Sequence, residues 1–315
     1  MGVTSERVEL PFVNSSLWRM NKDRRRRNGC LLWLVVTGRS VVALLLSAQL
    51  YMCVNQITPV LYSDLPTRIL FQGFVVFTVF QVVINWIMAM TYSSTYDLYL
   101  HVFESTWLQR DFCGETENGQ HLRGQLLPEY DTAKMYPRRY CEICRINKPF
   151  RTHHCKICNV CILKRDHHCY LTGNCIGLKN QKYFIVGAFY TTIVSIVCGY
   201  LCAKYLYLLM YVSTTASWFD LFLPVTFIRW IFGCISGFNS LAILFCYIDV
   251  FFAVEGARVF LVQMFLAVNG MTLHELKKRR AISNVNTTRY NLHSVFGKYW
   301  LLNFIFPVSW GSQSK

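Results

Sequence analysis

Residues 141–175 read CEICRINKPFRTHHCKICNVCILKRDHHCYLTGNC, a stretch of 35 residues that holds seven cysteines and four histidines. It repeats itself at an offset of fourteen: Cys141, Cys155 and Cys169 are so spaced, as are Cys144 and Cys158, His153 and His167, His154 and His168, and Cys161 and Cys175. One pattern, C-x2-C-x9-H-x6-C, therefore falls twice, first on Cys141, Cys144, His154 and Cys161, then on Cys155, Cys158, His168 and Cys175. Three thiolates and an imidazole form a closed tetrahedral zinc set with no open position for water, so two structural Zn2+ ions are expected here. Sulfur donors of this softness disfavour calcium and magnesium. A disulfide framework or a group of core cysteines does not account for two knuckles with a matched offset. A RING-type arrangement needs a final C-x2-C pair, and Thr172 stands where the partner of Cys169 would be.

Once eight ligands are assigned, His153, His167 and Cys169 are left over. His167 lies two positions before Cys169, and Asp166 one further back, so one short segment holds a nucleophile, a base and an orienting carboxylate. A nearby imidazole raises the thiolate fraction of a cysteine, and a carboxylate fixes the imidazole's tautomer. The same residues also suit a bland reading, in which Asp166 caps a turn and Cys169 is a spare thiol. Spacing alone leaves both open.

Outward from this stretch the chain is built for lipid. Of its 315 residues 53% are hydrophobic, gathered into long runs rather than spread periodically. A bilayer core about 30 Å thick needs roughly 20 apolar residues as helix, and four runs qualify: near 40–62 (starting at Leu31 if Arg39 snorkels), 69–90, 184–203 and 231–254. The expected fold is an all-α integral membrane protein of four transmembrane helices, with a small two-zinc, cysteine-rich cytosolic domain between helices 2 and 3. The corresponding regions are a basic N-terminus (1–29), helices 1 and 2 (30–90), a loop (91–183) with the zinc domain at about 138–184, helices 3 and 4 (184–254), and a C-terminal region (255–315).

Charge sets the orientation. The connector 91–183 carries thirteen Lys and Arg residues, 63–68 only Arg68, and 213–224 none. Arg24 to Arg27 precede the first run, and Lys277, Lys278, Arg279 and Arg280 follow the last. Both termini and the long connector are therefore expected in the cytosol, leaving the sequons at Asn14 and Asn286 unglycosylated. The net charge of +15 is read as facing anionic lipid or an anionic cofactor, and no nucleic acid is expected as partner. The polar start with Glu6, Arg7 and Glu9 is read as lacking a cleaved signal peptide, and position six lacks the Ser or Thr of a myristoylation signal.

Within the helices, Gly187, Ala188, Ser195 and Gly199, with Gly233, Ser236 and Gly237, could open a groove between helices or simply pack them. Asp249, Glu255 and Arg258 read as helix-end anchors, and 255–268 as an amphipathic extension without catalytic residues. The cysteines of the spans, Cys53, Cys198, Cys202, Cys234 and Cys246, together with Cys30, read as apolar packing. Cys113 is a candidate acylation or redox site.

The run Cys141-Glu142-Ile143-Cys144, Lys148-Pro149, Arg151-Thr152-His153-His154-Cys155, Asp166-His167-His168-Cys169, Asn174-Cys175-Ile176-Gly177, Asn180 and Phe184 resembles the DHHC protein S-acyltransferases, or palmitoyltransferases. Asn291 to Gly297 is similar to that family's C-terminal element. The resemblance implies that Cys169 takes an acyl group from acyl-coenzyme A, palmitoyl-CoA above all, and passes it to a cytosolic cysteine of a membrane-associated protein. It implies the activating roles for His167 and Asp166 and an endomembrane setting, Golgi or endoplasmic reticulum. It favours Lys148, Arg151 and His153 as contacts for the coenzyme's phosphates, against the alternative of a solvated basic face. Three departures stand out: Tyr170-Leu171 where the family has Pro-Trp, no Asp-Pro-Gly near Asp97, and Thr272-Leu273-His274-Glu275 where Thr-Thr-x-Glu is usual. A membrane adaptor that keeps the two-zinc fold and has lost turnover is the competing expectation.

Overall fold

Among the described residues, four helices are long and apolar enough to cross a bilayer: Val35–Leu61, Leu65–Thr91, Gln181–Val212 and Gly237–Val268. They belong to a computed structural model that describes residues 29–96, 140–149, 151–212, 217–278, 286–297 and 300–306. Asn14, Arg24 to Arg27, Asp97, Cys113, Arg279 and Arg280 lie outside the described residues, as does the side chain of Cys30. The first span joins α1 (Gly29–Tyr51) through a π-helical segment, Met52–Ile57, to α2 (Thr58–Leu61). A π turn re-spaces the backbone ladder, and here Gln72 of the second span donates to the Val54 carbonyl at 2.7 Å and the Thr58 hydroxyl at 3.1 Å. The second span, α3 (Leu65–Thr91), starts where the Asp64 carboxylate accepts from the Thr67 amide, with a proline in the first turn.

The third and fourth spans, α4 (Gln181–Val212) and α6 (Gly237–Val268), have 32 residues each. At 1.5 Å per residue each is about 48 Å long, well beyond the hydrocarbon thickness. The surplus lets their site-proximal ends reach the cysteine-rich region. α4 lies between α3 and α6, burying Val75, Val79, Ile185, Val194, Leu201 and Ile243 in one core. At the α4–α6 crossing a Cβ on Gly256 would come within 2.8 Å of the Thr192 hydroxyl, so this glycine sets the close approach. Gly199 likewise backs onto Asp249, and these small residues serve helix packing.

The fourth span differs from the expected 231–254. A 3-10 turn (Trp218–Leu221) and a short helix, α5 (Leu223–Ile231), precede it. Gly233 at φ +71° breaks the chain, and the Ser236 hydroxyl then caps α6 by accepting from the Asn239 amide. Because α6 continues to Val268, the expected amphipathic extension is part of the same helix. Asp249 then falls mid-span rather than at a helix end, buried and accepting a 3.0 Å hydrogen bond from the Gln49 amide. Glu255 and Arg258 pair on an exposed face of α6.

Between α3 and α4 the described chain forms three two-stranded antiparallel hairpins: β1 (Tyr140–Cys141) with β2 (Ile146–Asn147), β3 (His153–Cys155) with β4 (Val160–Ile162), and β5 (His167–Cys169) with β6 (Asn174–Ile176). The all-α expectation is corrected here, because strands of two or three residues leave no hydrophobic period to read. Beyond α6 come α7 (Leu273–Lys277), α8 (Thr288–Phe296) and a 3-10 turn (Trp300–Phe304). The Asn291 amide of α8 donates to the Val268 carbonyl at 2.8 Å, satisfying an end-of-helix acceptor of α6.

Candidate active site

The fourteen-residue repeat is a repeat of geometry. In the second hairpin His153 pairs with Ile162 and His154 with Cys161; in the third His167 pairs with Ile176 and His168 with Cys175, the same register fourteen residues on. A left-handed residue closes each knuckle: Arg145 at φ 56°, Asn159 at φ 56° and Gly173 at φ 60°. Each four-residue cluster joins the knuckle of one hairpin to the paired His and Cys of the next. The ligand atoms of Cys141, Cys144, His154 and Cys161 all lie within 4.8 Å of one another, as do those of Cys155, Cys158, His168 and Cys175. Cys144 Sγ is 3.3 Å from His154 Nδ1, Cys158 Sγ is 3.2 Å from His168 Nδ1, and Cys158 and Cys175 sulfurs are 3.5 Å apart. A zinc tetrahedron with bonds of about 2.0–2.3 Å has edges of about 3.3–3.8 Å, so both groups could hold a zinc ion.

Cys169 belongs to neither cluster. It is the third hairpin's counterpart of Cys141 and Cys155, whose sulfurs accept from the amides of Cys144 and Cys158 three residues on. Thr172, at the matching position, likewise turns its amide toward the Cys169 thiol, while its hydroxyl donates to the Cys169 carbonyl at 3.2 Å. The third hairpin is thus a zinc knuckle in shape, with a threonine in place of the second thiol.

Beside it stands a fully partnered acid–base pair. His167 Nδ1 is 2.7 Å from Asp166 Oδ2, and the ring meets Phe184 edge-on at 5.0 Å. Asp166, 2% exposed, accepts two further hydrogen bonds: Gln263 of α6 donates to Oδ2 at 2.8 Å, and the Leu273 amide at the start of α7 donates to Oδ1 at 2.6 Å. Burial pushes the Asp166 carboxyl up, but His167 and these donors hold it below the ordinary carboxylate range. Burial disfavours the His167 cation, yet Asp166 and Cys169 outweigh it and carry the imidazole up to about 9. Burial also disfavours the Cys169 thiolate, and His167 and Thr172 outweigh it, bringing the thiol below its usual value. Both shifts favour placing the proton of the pair on the imidazole.

The side chain at 273 matters little to this support, because Leu273 acts through its backbone. Thr272 and Glu275 still form a reciprocal cap on α7. Glu275 in turn takes Arg151 in a two-pronged ion pair, both bonds 2.7 Å, while Arg151 also donates to the Gly270 carbonyl at 2.8 Å. His153 lies against His274 with ring centroids 4.1 Å apart, and Lys148 is half-buried after β2. Arg151 therefore ties the second hairpin to α7. Gln263 escaped the sequence reading, which found no catalytic residue in 255–268. A lone amide in the apolar run Val262-Gln263-Met264 was its available signal.

Four long apolar helices carrying two thiol-rich clusters in one interhelical region define a membrane protein with a metal-type cysteine-rich domain. Residues 134–280 match the family model described as DHHC palmitoyltransferase, the family that the sequence resembles. Among similar proteins, palmitoyltransferase ZDHHC22 of Danio rerio is 35% identical over 135 residues, covering 42% of this chain and 48% of that protein. ZDHHC22 of Homo sapiens is 31% identical over 141 residues, covering 44% and 53%, and that of Mus musculus 30% over 133 residues, covering 42% and 50%. The chain spans about half the length of these curated relatives.

Proposed function

We propose that this chain is a protein-cysteine S-acyltransferase that uses palmitoyl-CoA through an acyl-thioester on Cys169. The observation that carries the reading is the third knuckle, where a thiol outside both clusters faces His167, itself paired with Asp166. The two clusters would each hold a structural Zn2+, pinning the hairpins on which these residues lie. In the first step the Cys169 thiolate attacks the thioester carbonyl and the carbon–sulfur bond to coenzyme A breaks. The departing thiolate takes the proton from the His167 imidazolium. In the second step neutral His167 removes the proton of a substrate thiol, whose sulfur attacks the acyl-Cys169 carbonyl. Cys169 leaves as a thiolate, once more paired with imidazolium. Asp166 keeps Nδ1 protonated and oriented throughout, with Gln263 and the Leu273 amide fixing its two oxygens. The region 91–183 and both termini would face the cytosol, where the coenzyme and substrate cysteines are found.

The test is purified full-length protein incubated with palmitoyl-CoA. Wild type should acquire a hydroxylamine-sensitive label and contain two zinc per chain. Cys169→Ser should keep both metals and lose the label. Loss of zinc in that variant would make Cys169 a ligand and end the proposal. A wild type that binds zinc but takes no label from any acyl chain length would leave the adaptor reading in its place.

A further inference from the structure

We infer that Arg39, in the first span, is a positioning residue for the nucleophile's turn, supplying the anchorage that a metal supplies to the other two knuckles. In the first and second knuckles the residue three after the leading cysteine is itself a metal-cluster member, Cys144 or Cys158. In the third it is Thr172, and no ligand set closes over it. Its place is taken by side chains from the helices. The Arg39 guanidinium donates through Nη2 to the Thr172 carbonyl. It also lies against the next residue, since a Cβ on Gly173 would sit 2.5 Å from Arg39 Nη2 and 2.7 Å from Val35 Cγ1. The Trp86 indole N–H of α3 reaches the Leu171 carbonyl at 3.4 Å, and the Asn174 amide donates to the Tyr92 carbonyl at 3.1 Å. Thr172 itself is buried, with its hydroxyl donating to the Cys169 carbonyl at 3.2 Å. A cation inside an apolar helix is costly unless it is used, and Arg39 is used on the turn that carries Cys169. Tyr170 and Leu171, by contrast, are exposed, so the turn is held by its backbone rather than by packing of those two side chains. Misplacing a reacting atom by about 1 Å can cost roughly a hundredfold in rate. A loose third knuckle is therefore expected to act on turnover and not on coenzyme affinity.

The inference rests on the acyltransferase reading only for its kinetic consequence; the clamp itself is read without activity. In full-length Arg39→Met, zinc content should stay at two per chain, while amide hydrogen exchange across 170–174 should quicken. The rate constant for acylation of Cys169 from palmitoyl-CoA should fall roughly ten- to a hundredfold, with KM changed by less than about twofold, and Arg39→Lys should recover part of the loss. Gly173→Ala, which adds backbone strain at φ +60° as well as a methyl group 2.5 Å from the guanidinium, should give the same signature with Arg39 present. Unchanged exchange in both variants would overturn the clamp. A raised KM with unchanged turnover would overturn it too, by making Arg39 a contact for the coenzyme. If wild type takes no label, the acyltransferase reading fails, while the exchange comparison still decides the clamp.

Discussion

Cys169 and its equivalents Cys141 and Cys155 occupy matching places in three knuckles, and one residue three positions on, Thr172 against Cys144 and Cys158, separates the proposed nucleophile from the two groups that could hold a metal. The electrostatics around it predict a pH profile. With the Cys169 thiol lowered and His167 raised to about 9, both shifts favour the thiolate–imidazolium pair over thiol and neutral imidazole. Acylation should rise with pH as the pair forms and fall again as His167 loses its proton near pH 9, each limb reporting the pair rather than one residue. The sign for stability agrees. His167 has a folded pKa above its ordinary value of about 6.5, so its contribution is complete below about pH 6.5 and is lost as pH climbs through about 9. His167→Gln should abolish the alkaline limb, and a profile that keeps it would assign that limb elsewhere. Gln263→Leu removes one donor from the buried Asp166, a loss of about 1–2 kcal/mol or roughly five- to thirtyfold in acylation rate, with zinc retained. Equal rates in wild type and variant would show that His167 and the Leu273 amide suffice. The two four-residue groups were legible in the sequence because their spacing is local and repeats. Gln263 and the Leu273 amide were not, because they reach Asp166 from about a hundred residues away, one of them through backbone that carries no side-chain signature.

Asn180 adds to the Trp86 and Asn174 contacts that join the third hairpin to the end of α3. Asn180 is fully buried; its amide donates to the carbonyls of Ala89 at 3.1 Å and Cys175 at 3.0 Å, and its oxygen accepts from the Gly177 amide at 2.9 Å and the Ser94 hydroxyl at 3.3 Å. Asn180→Ala would leave several of these groups buried and unpartnered, each costing about 1–3 kcal/mol. The variant is expected to show a markedly lower unfolding temperature in detergent, measured by thermal shift, and to lose acylation together with fold. A melt within a degree of wild type would mean that water replaces the side chain. Gly177 beside it leaves no alternative packing, since a Cβ there would lie 2.6 Å from the Leu163 carbonyl. The existence of the four spans was readable from hydropathy, while their ends were not. The start of α6 depends on the left-handed Gly233 and the Ser236 cap. Its far end depends on Gln263 and Asn291 contacts, which continue the helix past the point where lipid alone would require it.

If each of the four candidate spans among the described residues crosses the bilayer, their even number returns both ends to the side of the cysteine-rich region. Two independent features argue for that side being the cytosol. The connector 91–183 holds thirteen Lys and Arg residues while 213–224 holds none, and basic segments stay on the cytosolic face. The far-side segment before α6 is instead aromatic: Trp218, Phe219, Phe222, Trp230 and Phe232 are exposed, while Asp220 is buried and paired with Arg229 at 3.1 Å. Aromatic rings and neutralised charge suit a headgroup boundary on the opposite face. Tags at both termini and within 97–139 should therefore be reached by antibody when only the plasma membrane is permeabilised, whereas a tag inserted at 213–216 should need full permeabilisation. A glycosylation sequon placed at 213–216 should acquire a glycan, while Asn286 should not. A glycan on Asn286, or a terminal tag protected alongside the 213–216 tag, would break the four-crossing arrangement and move Cys169 away from the compartment that holds its proposed coenzyme.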